Sequence, residues 1–138
     1  CDVVIVDEGT TGPINCVLAA VNTQVKDDVH KALNEKILER GKFLSDYFEA
    51  DFHVVNAYKD SEDFPDRALI GRMSGLPREK IHRDRGKPDY VIAGISEKVK
   101  AEMVILGISP RTGIAAKFSS HTTEKVMEKI TVDVVALS

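Results

Sequence analysis

Between Gly107 and Thr122 the chain reads GISPRTGIAAKFSSHT, with two glycines, the cations Arg111 and Lys117, and Ser120 and Thr122 crowded where a helix is predicted to start. A helix N-terminus presents unpaired N–H groups and the positive end of a dipole, a setting suited to a phosphate or another anion. The same hydroxyls also serve as helix caps, and spacing alone favours capping. The segment has no Walker A Lys-Ser/Thr and no G-x-G-x-x-G, so neither standard phosphate loop is present.

No other stretch assembles a catalytic or metal-binding set. Ser120 precedes His121, but adjacency along the chain does not aim a hydroxyl at an imidazole, and no third group completes a triad. His30, His53 and His82 share no i, i+4 helical face, and Cys1 and Cys16 make no C-x-x-C. The charged run REKIHRDRGK reads as a solvated edge.

Composition narrows the partners. The 138 residues are 43% hydrophobic and 30% charged, which suits one globular domain with its own core. A net charge of -3 supplies no broad basic field for a nucleic acid. No apolar run approaches the roughly 18 residues of a membrane span, and the expected setting is reduced and cytoplasmic.

The elements that must position the loop follow from periodicity. Apolar runs at 14–22, 51–58, 102–107 and 132–137 predict buried strands, and the charged stretch 79–86 predicts a short strand at an exposed edge. Between them, residues 28–48 carry Val29, Leu33, Ile37, Leu44 and Phe48 on one helical stripe that includes Gly41, with Asp27 or Asp28 as N-cap. Further helices are predicted over 66–73, from Pro88 to about 100 with Val91, Ile92, Ile95 and Val99 facing inward, and over 122–130. Strands alternating with helices specify an α/β fold, a doubly wound parallel sheet; the order expected for its five strands is 3-2-1-4-5. In such sheets ligands bind beyond the carboxyl ends of the strands, at the point where strand order reverses.

The long loop resembles the nucleotide motif of universal stress proteins, in which Gly, two residues, Gly, nine residues, then Gly-Ser or Gly-Thr wrap a nucleotide. ALNEKILERG, GISPRTGIAAKF and TTEKV are similar to the second half of a tandem, E-type member, over residues 14–138. The resemblance implies an adenine nucleotide, ATP or AMP, with magnesium only as its companion. The base and ribose would lie against Ala20, Val21, Asn22, Ala57 and Leu106, and the phosphates against Gly107, Gly113, Ser120, His121 and Thr122. The match is degenerate. Asn22 stands where the family has Asp, Pro110 replaces the second glycine, Ser120 the third, and His121 the Ser or Thr; Arg111 and Lys117 could compensate by charge.

The resemblance also separates CDVVIV from the domain, making residues 1–13 the trailing strand and linker of a preceding domain. Such a strand should cover a sheet edge. A partner beside the last strand would lie about 15 Å from the first strand, and the linker of residues 7–13 reaches roughly 24 Å. An antiparallel strand ends at the rim where residue 14 begins, whereas a parallel one adds a strand length of about 20 Å. Antiparallel pairing with the last strand is therefore expected. The implied function is a regulatory binding domain, not an enzyme beyond weak ATP hydrolysis, whose partner is a second such domain or a second copy paired through the last strand. The alternative is an interaction module that has lost nucleotide binding.

Overall fold

An apolar run without a polar face must be covered on both sides, and β2 (Cys16–Ala20) is buried along its whole length. It lies in the middle of a six-stranded sheet in a computed structural model that describes residues 2–5, 13–23, 28–59, 65–107, 129 and 132–137. The other strands are β1 (Asp2–Ile5), β3 (Asp51–Tyr58), β4 (Ile81–Arg85), β5 (Met103–Gly107) and β6 (Asp133–Leu137), in the order β1-β6-β5-β2-β3-β4. Every pairing from β4 across to β6 is parallel. Numbered by themselves, these five strands have the expected order 3-2-1-4-5. β1 runs antiparallel to β6, with Asp2 opposite Leu137 and Ile5 opposite Val134, the direction expected from the reach of residues 7–13.

Alternation along the strands sorts the core onto two faces. Val17 and Ala19 of β2, and Val21 just beyond it, join Phe52, Val54, Ile105, Val135 and Leu137 beneath α1 (Asp28–Phe48) and α2 (Arg67–Ser74). Cys16, Leu18 and Ala20 join Val55, Val104, Leu106 and Val134 beneath α3 (Pro88–Val99).

Several expected boundaries shift for identifiable reasons. The strand expected over 14–22 ends at Ala20, because Asn22 is taken by a side chain of α1. Asp66 caps α2 instead of belonging to it, accepting from the Ala68 and Leu69 N–H groups at 2.9 and 3.2 Å. Gly75, at φ 73°, closes that helix in the left-handed region. A 3-10 turn, Arg78–Lys80, takes the first residues expected in β4, which is a sheet edge as anticipated.

The inward stripe of α1 also differs from expectation. His30, Leu33, Asn34, Ile37, Leu38, Gly41 and Ser45 are buried, whereas Val29 and Phe48 are exposed. Gly41 helps to set this rotation, because a Cβ there would sit 2.5 Å from Cε1 of Phe52. Asp28 opens the helix; Asp27 and most of the helix expected over 122–130 lie outside the described residues.

Candidate functional site

The chain runs from β2 outward through β3 and β4, then returns to the other side of β2 for β5 and β6. Strand order therefore reverses between β2 and β5, and their carboxyl ends flank the crevice such a reversal opens.

Two asparagines hold the exit of β2. Asn34 of α1 faces the main chain of Asn22: its Nδ2 donates to the Asn22 carbonyl at 2.9 Å, and its Oδ1 accepts the Asn22 N–H at 3.1 Å. Asn56 of β3 accepts from both the N–H and the Oγ1 of Thr23, at 3.1 and 2.7 Å, while its own Nδ2 donates to the Ala57 carbonyl at 3.0 Å. The Val21 N–H continues the ladder to the Val55 carbonyl at 3.0 Å. Both asparagines are buried, so these bonds replace water and each contributes about 1 kcal/mol net.

The side chain of Asn22 is treated differently from its main chain. The residue is 4% exposed, and its Oδ1 is buried with no hydrogen-bond partner among the described residues. An unsatisfied buried acceptor costs about 1–3 kcal/mol, and is uncommon enough to require a reason. A ligand donor, such as an exocyclic amino group, would satisfy it.

The other expected base and ribose positions are core. Ala20, Ala57 and Leu106 are buried on the α3 face and Val21 on the α1 face, so the fold brings them to one end of the sheet and packs them there. Gly107 ends β5, and its lack of a Cβ has a local cause. A Cβ there would come within 2.7 Å of Leu33 Cδ2 and 2.9 Å of Ile37 Cδ1, so the glycine admits α1 onto the sheet. Pro110, Arg111, Gly113, Lys117, Ser120, His121 and Thr122 lie outside the described residues.

Sequence reasoning missed Asn34, Asn56 and Thr23. A signal was present: Asn34 interrupts the inward line between Leu33 and Ile37, and Asn56 interrupts the apolar strand DFHVVNAY. It also missed that His53 and His82 meet, Nδ1 to Nε2, at 3.0 Å. Among the described residues no group of three or more His, Cys, Asp or Glu could hold a metal ion. Cys16 is buried, and burial, with Asp51 and Glu102 adding to it, pushes its thiol up to about 11. It is protonated at neutral pH and unsuited to nucleophilic work.

A parallel sheet whose strand order reverses between β2 and β5, with helices on both faces, defines the doubly wound α/β class. A family model, the Universal stress protein family, matches residues 48–138. The chain belongs to that family. It is 27% identical over 143 aligned positions to Universal stress protein E of Escherichia coli K12, an alignment covering 87% of this chain and 45% of that protein. The chain thus spans about half the length of the curated relatives it matches. Among solved structures, a putative universal stress protein from Pseudomonas aeruginosa superposes with a TM-score of 0.85 at 23% identity, over 99% of this chain and 52% of that one. A universal stress protein in complex with cAMP superposes at 0.61 and 15% identity, over 92% and 98%. One from Archaeoglobus fulgidus in complex with dAMP does so at 0.52 and 15%, over 92% and 100%. No helix among the described residues is long and apolar enough to cross a membrane.

Proposed function

We propose that this domain is a stress-response regulatory module that binds an adenine nucleotide, ATP or AMP, between the exits of β2 and β5. Magnesium enters only with the nucleotide, and turnover is at most weak. The observation that carries this reading is the buried Oδ1 of Asn22, which has no hydrogen-bond partner among the described residues and is fixed in place by the grip of Asn34 on its main chain. The cAMP and dAMP complexes of similar folds support an adenine ligand. Asn22 and Thr23 would meet the base, and the segment from Gly107 through Arg111, Gly113, Ser120, His121 and Thr122 would meet ribose and phosphates. A ligand bound more tightly by one arrangement of that segment shifts its population and biases the contact with a neighbouring domain.

Residues 1–13 are the trailing strand and linker of a preceding domain in this reading, and the full protein is a cytoplasmic tandem. The antiparallel β1–β6 ladder favours a second reading, an interaction module built on the last strand. Pro110 lacks an N–H and Ser120 adds a Cβ, both at phosphate positions. Losing one charge-assisted hydrogen bond there costs about 1.5–3 kcal/mol, or one to two orders of magnitude in affinity.

Calorimetry with ATP and magnesium separates the readings. Saturable micromolar binding that Ser120→Arg abolishes is the expected result. No heat at millimolar ATP would leave the interaction module.

A further inference from the structure

His53 and His82 lie on neighbouring parallel strands, with Val55 rather than His53 directly opposite His82, so the two rings meet on a diagonal. They stack at 5.2 Å between centroids and 25° between planes, and Nδ1 of His53 stands 3.0 Å from Nε2 of His82. At that distance one nitrogen carries the hydrogen and the other presents its lone pair. Adding a proton to the donor ring, on its far nitrogen, leaves the bond intact. Protonating the acceptor ring puts a hydrogen on each of the two facing nitrogens and breaks it.

The strand at stake lies at the edge of the sheet. β4 has five residues, pairs among the described residues only with β3, and buries only Ile81; His82 and Arg83 are half-buried, and Asp84 and Arg85 are exposed. An edge strand with little buried apolar surface opens at lower free energy than the central strands.

We propose that the His53–His82 pair is an acid-sensitive latch on β4, holding the strand while one hydrogen lies between the facing nitrogens and releasing it when both carry one. The surroundings oppose that second hydrogen. Lys80, from the turn before β4, and Asp51 of β3 act on His53; Lys98 of α3, Arg67 of α2 and Asp84 of β4 act on His82. Asp51 is already engaged by Lys80 at 3.6 Å. Three cations against two carboxylates also disfavour a divalent metal at the same nitrogens, and among the described residues no third ligand completes such a site.

Burial, with Lys80 adding to it, holds His53 below the ordinary imidazole value of 6.5, and burial, with His53, Lys98 and Arg67, does the same for His82. The open strand therefore takes up protons at a higher pH than the latched one. The latch is at full strength above about pH 6.5, and weakens as pH falls from there through the depressed values of the closed pair.

Amide hydrogen exchange on the full chain, corrected for intrinsic chemistry, tests this between pH 7.5 and 5.5. The expected result is a severalfold drop in protection over 82–85 relative to β2, in the direction set by the depressed imidazoles of the closed pair. In His82→Gln, whose side chain at 82 cannot titrate, that acid-dependent drop shrinks to the contribution of His53 alone. Parallel change in β4 and β2, or the same drop in His82→Gln, overturns the proposal. Should that variant fail to fold, imidazole ¹⁵N titration of the unaltered chain decides. Two rings titrating in a coupled manner below 6.5 support the latch, and two independent rings at the ordinary value overturn it.

Discussion

Asn22 is held by its main chain while its side-chain oxygen has no partner among the described residues, the asymmetry on which its proposed role in ligand binding rests. Replacing an unsatisfied buried acceptor with an apolar group of similar size removes a cost to the folded state. We therefore expect Asn22→Leu to match or exceed the parent in stability, by up to about 1 kcal/mol, and to bind ATP at least about tenfold more weakly. Denaturant melts and calorimetry on the same samples check both halves. A loss of stability with unchanged affinity would make Asn22 an ordinary core residue. Asn34→Ala should behave differently: it leaves the main chain of Asn22 unsatisfied and lowers stability by about 2–4 kcal/mol, visible as a lower urea midpoint at unchanged slope.

At the level of elements, α1 governs both exits. Leu33 and Ile37 press on Gly107, Asn34 grips Asn22, and Gly41 lets the helix lie against Phe52. The resemblance assigns Gly107 to the phosphate, but contact with α1 already explains its lack of a Cβ. Gly107→Ala should lower stability by about 1–3 kcal/mol without any ligand, because the added methyl must displace Leu33 or Ile37 in a filled core. A denaturation midpoint equal to that of the parent would return the glycine to the ligand.

Much of this layer was legible in the residues. The strand Asp51–Tyr58 and the helix Asp28–Phe48 match their expected bounds, since one is a short, largely apolar stretch and the other shows a 3.6-residue repeat. The rotation of α1 was not legible. Periodicity locates an apolar stripe, but long-range contacts with Phe52 and Asn22 turned Asn34 and Ser45 inward and Val29 outward. The His53–His82 contact was equally hidden, because it depends on the register between two strands 29 residues apart along the chain.

Across the whole molecule, alternation made the doubly wound parallel sheet legible, and the reach of residues 7–13 favoured the antiparallel direction of β1. β1 covers the edge of β6, so deleting residues 1–13 should expose β6 as a template for another strand. We expect the shortened chain to move from one copy toward two as its concentration rises, measured by sedimentation equilibrium. A monomer at all concentrations would deny that edge a pairing role. The central claim concerns the crevice between β2 and β5, and nuclear magnetic resonance reads it residue by residue. Titration with ATP and magnesium should shift the side-chain amide of Asn22 and the backbone amides of Thr23 and Gly107 along one saturation curve. Signals that stay fixed there at millimolar ATP, or shifts gathered at another surface, would contradict it.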